Sequence, residues 1–265
     1  KAGGGMMARY LNGKRVACVS QEEGDGLWAD YVVTKSGLAL PLNDAVNFEQ
    51  GAMSVVNPLS AIALLSIAQD GKHDAIVNTA AASALGQMLN RLCLSEGIQL
   101  INIVRRQTQV DLLKKQGATI VLNSSDANFD QQFKDTCHEH NVHLAFDAIA
   151  GSMTLQLLEA LPNGSKVTVY GGLSWAAAQA EPGHLIFEGK TVDGFWLTKW
   201  LAQKSMLQKL SIWRRAQKLM ETDLKSDIRA RYTLQGAQAA VKSYQSHMTG
   251  GKIIFVPEEE DAGFM

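Results

Sequence analysis

The stretch Asp74-Ala75-Ile76-Val77-Asn78-Thr79-Ala80-Ala81-Ala82-Ser83-Ala84-Leu85-Gly86-Gln87-Met88 has the residue types of an anion-binding turn. It opens on a short apolar run that reads as a buried strand and continues through small side chains. Leu85, Met88, Leu89, Leu92 and Cys93 then follow the i, i+3, i+4, i+7, i+8 spacing of one helical face. A strand feeding a helix through small residues lets backbone N–H groups at the helix N-terminus approach a phosphate. Ser83, Ala84 and Leu85 are the residues whose amides would do so, and the Ser83 hydroxyl adds a donor. This is the form of the dinucleotide fingerprint, here degenerate. Only Gly86 remains, with Ala80, Ala82, Ser83 and Ala84 where glycines would complete the pattern. A tight turn of small residues with no ligand would read the same way.

A second group lies about 20 residues beyond the turn, where an NAD enzyme usually carries an acid for the ribose 2′-hydroxyl. There Ile101-Asn102-Ile103-Val104 ends in Arg105-Arg106. Two guanidinium groups suit a 2′-phosphate through charge-assisted hydrogen bonds, although a solvated basic loop is the plainer alternative. Later, Tyr170-Gly171-Gly172 closes another strand at the edge where open α/β sheets bind ligands. The segment Cys137-His138-Glu139-His140-Asn141-Val142-His143 gathers three of the six histidines. It straddles a helix end and a buried strand, so a solvated helix end rather than a metal site is expected. No Ser-His-Asp order or paired-acid constellation stands out.

Stepping outward from these residues, 265 residues suffice for one large domain or for one domain and part of another. The chain is 46% hydrophobic and 19% charged, as in ordinary soluble globular proteins. A net charge of −1 gives no electrostatic reason for nucleic acid or an anionic membrane as partner. No apolar run approaches the length of a membrane span, and no signal peptide opens the sequence. Cys18, Cys93 and Cys137 are far apart, which fits reduced thiols and a cytoplasmic setting better than a disulfide framework. The opening Lys1-Ala2-Gly3-Gly4-Gly5-Met6-Met7 joins a pattern already under way, so a fragment is expected.

Residues 15–20, 28–33 and 38–42 read as strands in a glycine-rich first segment, with Gly24-Asp25-Gly26 as a turn. Asn47 is placed to cap a helix, and Pro58 to open another that carries Leu59, Ile62, Leu65 and Ile67. From residue 74 short apolar strands (75–78, 100–104, 120–122, 144–146, 167–170) alternate with helical segments (84–95, 108–116, 130–139, 153–161). Gly97 and Gly117 are placed as helix stops. Nearly continuous apolar strands imply helices on both faces, hence an α/β fold with a doubly wound parallel sheet. A strand at 191–196 and one long helix to residue 220 should follow. A polar helix at 235–247, a final strand at 252–256 and a solvated acidic end, Glu258-Glu259-Glu260-Asp261, complete the chain. The tryptophans of residues 196–213 are read as core and subunit packing ahead of substrate contacts.

Four landmarks fall in order. Gly26-Leu27-Trp28-Ala29-Asp30-Tyr31-Val32 resembles the G-x-(aromatic)-A-E-Y-V strand of the medium-chain dehydrogenase/reductase superfamily. Asn57-Pro58-Leu59-Ser60-Ala61 is similar to the segment leading into its cofactor domain. The turn 79–87 is similar to its G-A-A-G-G-V-G-Q phosphate turn, and Met248-Thr249-Gly250-Gly251-Lys252-Ile253-Ile254-Phe255 to its closing strand. The resemblance runs from about Gly13 to Pro257 and is greatest to the zinc-independent quinone oxidoreductase and enoyl reductase branch.

The resemblance implies a partial GroES-like β-rich domain (1–57), a Rossmann cofactor domain (58–225) and a tail (226–265) returning to the first. It implies NADPH, held by Ser83, Ala84, Leu85, Arg105 and Arg106, and a hydride passed without metal to a quinone or an α,β-unsaturated carbonyl or thioester. Ala148 and Ile149 would flank the ribose and adenine. Tyr170, Gly171 and Gly172 would face the nicotinamide, with Phe195 and Trp196 at its carboxamide. Lys252 would reach a phosphate, and Asn57 is a candidate catalytic group. A homodimer paired through the strand at 191–196 is implied by the same analogy. The alternatives are a zinc alcohol dehydrogenase with its ligands outside this sequence, and a nucleotide-binding interaction protein of the same fold without turnover.

Overall fold

The computed structural model describes residues 5–20, 26–246 and 249–258. The expected turn at Gly24-Asp25, His247, Met248 and the acidic residues 259–261 lie outside the described residues. In chain order the elements are α1 (Met6–Leu11), β1 (Val16–Cys18), β2 (Ala39–Pro41), α2 (Phe48–Ala52), α3 (Val56–Asp70) and β3 (Ala75–Asn78). Then come α4 (Ala84–Glu96), β4 (Gln99–Val104), α5 (Gln107–Lys115), β5 (Ile120–Asn123), α6 (Phe129–Glu139), β6 (Leu144–Asp147), α7 (Ser152–Ala160) and β7 (Lys166–Val169). The remainder is α8 (Pro182–Ile186), β8 (Thr191–Gly194), α9 (Leu197–Ala202), α10 (Met206–Leu219), β9 (Ile228–Tyr232), α11 (Ala237–Ser246) and β10 (Lys252–Phe255). Two compact units result: Lys1–Pro58 with Trp213–Met265, and Leu59–Ile212.

The second unit carries one six-stranded sheet in the order β5-β4-β3-β6-β7-β8, every pairing parallel. This is the doubly wound arrangement, and it reverses direction between β3 and β6, where such sheets bind ligands. Strand pleating explains how both faces are covered. Val77, Ile101, Ile103, Ala145 and Val167 bury one face with Phe129, Phe133, Leu157 and Leu158 of α6 and α7. Val104 belongs to a separate buried cluster with Val110 and Leu113 of α5. Ser83 caps α4 by accepting from the Gly86 amide at 3.1 Å, and Gly97 ends the helix in the left-handed conformation at φ +73°.

In the first unit β1 pairs antiparallel with β2, and β10 pairs parallel with β9. Residues 213–225, grouped above with the cofactor domain, pack here instead. The Trp213 indole donates to the Pro41 carbonyl at 2.9 Å, and the Asn43 amide donates to Gln217 Oε1 at 2.6 Å. Residues 28–33 are not the expected strand. They belong to none of the sheets, and Tyr31 and Val33 are 95% and 94% exposed. Alternation makes a strand only where a neighbouring ladder receives it. The expected long helix after residue 197 is broken into α9 and α10, with Ser205 and Gln208 exchanging side-chain-to-backbone bonds across the new start. Among the described residues no helix is long and apolar enough to cross a membrane.

Candidate cofactor site

The carboxyl ends of β3, β4, β6 and β7 converge on the point where the sheet order reverses. After β3 the chain turns sharply, with Ala80 at φ +47°. The Ala81 amide donates to the Ile103 carbonyl and the Ser83 amide to Ala80, at 3.1 and 2.9 Å. Ser83 therefore has no free backbone donor; its contribution to a ligand is its hydroxyl. Ala84 and Leu85, the first two helical residues, have amides with no intrahelical acceptor. Gly86 is required on steric grounds. A Cβ there would lie 2.4 Å from the Ala81 carbonyl oxygen, so only glycine lets α4 begin against the turn.

Arg105 and Arg106 follow β4 directly, and both are exposed. The Arg105 amide donates to Gln109 Oε1 and its carbonyl accepts from the Ser125 hydroxyl, which fixes the main chain and leaves the guanidinium groups to solvent.

Asp147 is the last residue of β6. Its side chain is fully buried. It accepts from the Thr79 hydroxyl at 2.9 Å, the Ile149 amide at 2.9 Å, the Ala150 amide at 3.2 Å and the Thr154 hydroxyl at 2.8 Å. Thr79 in turn accepts from the Ala148 amide at 2.8 Å. Ala148 and Ile149 are thus held by main-chain bonds on both sides, their carbonyls receiving the Leu173 and Ser174 amides. The only sequence signal for this knot is an acid closing an otherwise apolar strand.

Tyr170 leaves the end of β7 and donates its hydroxyl to Asn78 Oδ1 at 2.9 Å. Burial above all, then the charge of Asp147, pushes the phenol above its ordinary range. The two glycines that follow differ in use. A Cβ on Gly171 would meet the Ala148 carbonyl at 2.8 Å, so this glycine serves packing, whereas Gly172 faces open space. The Phe195 amide is donated to Val169 at 2.8 Å, extending the β7–β8 ladder, and Trp196 is 60% exposed at the start of α9. Asn57 and Lys252 belong to the first unit. A cleft of about 200 Å³, lined by Asn90, Cys93, Gln99 and Thr119, lies at the opposite edge of the sheet.

Among the described residues no group of three His, Cys, Asp or Glu could hold a metal ion. Cys137 is buried and its thiol pushed up to about 12 by burial. His143 bonds Ser165 and Asn141 instead.

Residues 84–212 match the family model described as zinc-binding dehydrogenase. A Mesorhizobium loti protein assigned as an NADPH:quinone reductase is 34% identical, with a TM-score of 0.88 over 95% of this chain and 73% of its own. The chain belongs to the medium-chain dehydrogenase/reductase superfamily. Within it, the relationship is to the quinone and enoyl reductase-like members. A mitochondrial enoyl-[acyl-carrier-protein] reductase of Caenorhabditis elegans is 26% identical over 218 residues, 78% of this chain and 62% of that protein. The Arabidopsis thaliana enzyme of the same name is 28% identical over 182 residues, 67% of this chain and 48% of its own length. The chain thus spans about half to three fifths of those two relatives.

Proposed function

We propose that this chain is the cofactor-holding part of an NADPH-dependent reductase that acts, without zinc, on a quinone or an α,β-unsaturated carbonyl or thioester. One observation carries the reading: open amides at the start of α4 lie one strand away from two exposed guanidinium groups at the end of β4 that have no acceptor among the described residues. The first suit a diphosphate and the second a 2′-phosphate. When bound, the nicotinamide supplies the hydride. The chain supplies positioning: Ala84, Leu85 and the Ser83 hydroxyl for the diphosphate, Arg105 and Arg106 for the 2′-phosphate. Ala148 and Ile149 border the ribose, and Gly172, with open space where a side chain would be, lets main chain approach the ring. The relatives named above carry quinone or enoyl reductase names, and the Mesorhizobium and C. elegans proteins support the substrate class.

The test is to measure NADPH and NADH binding by cofactor fluorescence, then add a quinone or an enone with and without chelator. Preference for NADPH with turnover that survives chelator is expected. Turnover lost on chelation would replace this reading with a zinc enzyme, and binding without turnover would leave a nucleotide-binding protein. The reading extends to a homodimer paired through β8, the outer strand of the sheet, with Ile186 and Phe187 exposed beside it in sequence. Light scattering on the purified protein should give twice the chain mass.

A further inference from the structure

Three asparagines stand at buried positions of the second unit, where apolar residues would be the ordinary choice. Asn78 ends β3, Asn102 is its in-register partner on β4, and Asn90 is on α4. Asn78 and Asn102 have no exposed surface and Asn90 has 1%. A primary amide in such a place is costly unless its donors and acceptor are met.

Their bonds form a directed series. The Tyr170 hydroxyl donates to Asn78 Oδ1 at 2.9 Å. The two N–H groups of Asn102 Nδ2 are shared among three acceptors, Asn90 Oδ1 at 3.1 Å and the Leu100 and Ile120 carbonyls at 3.3 Å each, and these acceptors fix which way its amide faces. Between the two halves stand Asn78 Nδ2, a donor, and Asn102 Oδ1, an acceptor, neither with a partner among the described residues, as is also true of Asn90 Nδ2 at the far end. They sit on paired residues of adjacent parallel strands, whose spacing is about 4.8 Å. One bridging water satisfies a donor and an acceptor so placed.

We propose that Asn78, Asn102 and Asn90, closed by a bridging water, form a buried amide relay, and that Asn78 and Asn102 are positioning residues of the cofactor site. The relay joins the elements that meet the cofactor in the reading above, apart from the end of β6. Asn90 is on the helix whose start takes the diphosphate. Asn102 is on the strand that ends in Arg105. Asn78 leads into the glycine-poor turn. Tyr170 opens the loop that carries Gly172. Fixing the phenol fixes where that loop meets the nicotinamide, so the phosphate end and the redox end of the site are set by one internal series of bonds. The link to the nicotinamide rests on the function proposed above; the relay itself does not.

The experiment has two independent arms. In the first, Tyr170→Phe, Asn78→Leu, Asn102→Leu and the double variants are compared for thermal midpoint, and the wild-type chain is crystallised without cofactor. Expected are ordered water between Asn78 Nδ2 and Asn102 Oδ1 and non-additive midpoint shifts for the Asn78/Asn102 and Asn78/Tyr170 pairs. Additive shifts, or a site with no water, overturn the relay. Tyr170→Phe removes one oxygen only, so it keeps this arm decisive if an asparagine variant does not fold.

In the second arm, NADPH and 2′,5′-ADP, which has no nicotinamide, are titrated into each folded variant. Loss of about tenfold for NADPH with less than about twofold for 2′,5′-ADP is expected, with the double Asn78/Tyr170 variant no worse than Asn78→Leu. Equal loss for both ligands overturns the positioning role, because a general structural weakening moves both. If the wild-type chain binds neither ligand, the proposed function and this positioning role fail together, while the first arm still decides the relay.

Discussion

Two turns stand side by side at the carboxyl edge of the sheet and use their main-chain donors in opposite ways. After β6 the amides of residues 148–150 are all taken, two of them by the Asp147 carboxylate and one by Thr79. After β3 the Ala84 and Leu85 amides, first in α4, have no intrahelical acceptor. The closed turn is a fixed wall. The open one keeps main-chain donors in hand. A buried carboxylate can stand without a cation only because oriented N–H and O–H groups replace its water, and that requirement consumes the donors a ligand would otherwise use. On the function proposed above, the difference puts phosphate recognition on the β3 side and shape on the β6 side.

The largest effect is expected from dismantling the wall. Asp147→Ala leaves the Thr79 and Thr154 hydroxyls and the Ile149 and Ala150 amides without their acceptor, and should cost about 3–5 kcal/mol in denaturant unfolding. A loss under about 1 kcal/mol would show that the carboxylate does not hold this turn. Next in size, replacing Arg105 and Arg106 together by alanine should weaken NADPH binding about 100-fold and leave NADH binding and the unfolding midpoint nearly unchanged. Equal losses for the two cofactors would remove the 2′-phosphate assignment. Gly86→Ala drives a methyl group against the Ala81 carbonyl and should cost about 1–3 kcal/mol, with the loss of NADPH affinity exceeding what unfolding explains. Smallest is Ala80→Gly, which relieves a left-handed alanine but frees the unfolded chain; a change within about 1 kcal/mol is expected. A large loss of stability there would mean that the Ala80 methyl packs in a way the turn geometry does not suggest.

The alternation of β3 through β7 with α4 through α7 was legible because strands buried on both faces leave continuous apolar runs, such as Ile101-Asn102-Ile103-Val104. The turn around Ser83 was legible through its small residues and single glycine. Pairing partners far along the chain were not. Asp147 meets Thr79 across 68 positions, and Tyr170 meets Asn78 across 92, so neither bond leaves a local pattern. Residues 28–33 show the converse, a strand pattern that no neighbouring strand received. Strand β9 went unread because Arg229 and Arg231 interrupt its apolar residues; Arg231 instead pairs with Glu49 of α2 at 2.8 Å.

Gly86 shows what a nucleotide fingerprint records. Its other glycines can be exchanged for small residues, Ala80 among them, where a methyl group in a left-handed bend is a tolerable strain, but the one that lets helix touch turn cannot. A search that counts glycines passes over such a chain, whereas one that asks whether a side chain would fit between helix and turn at that step would keep it.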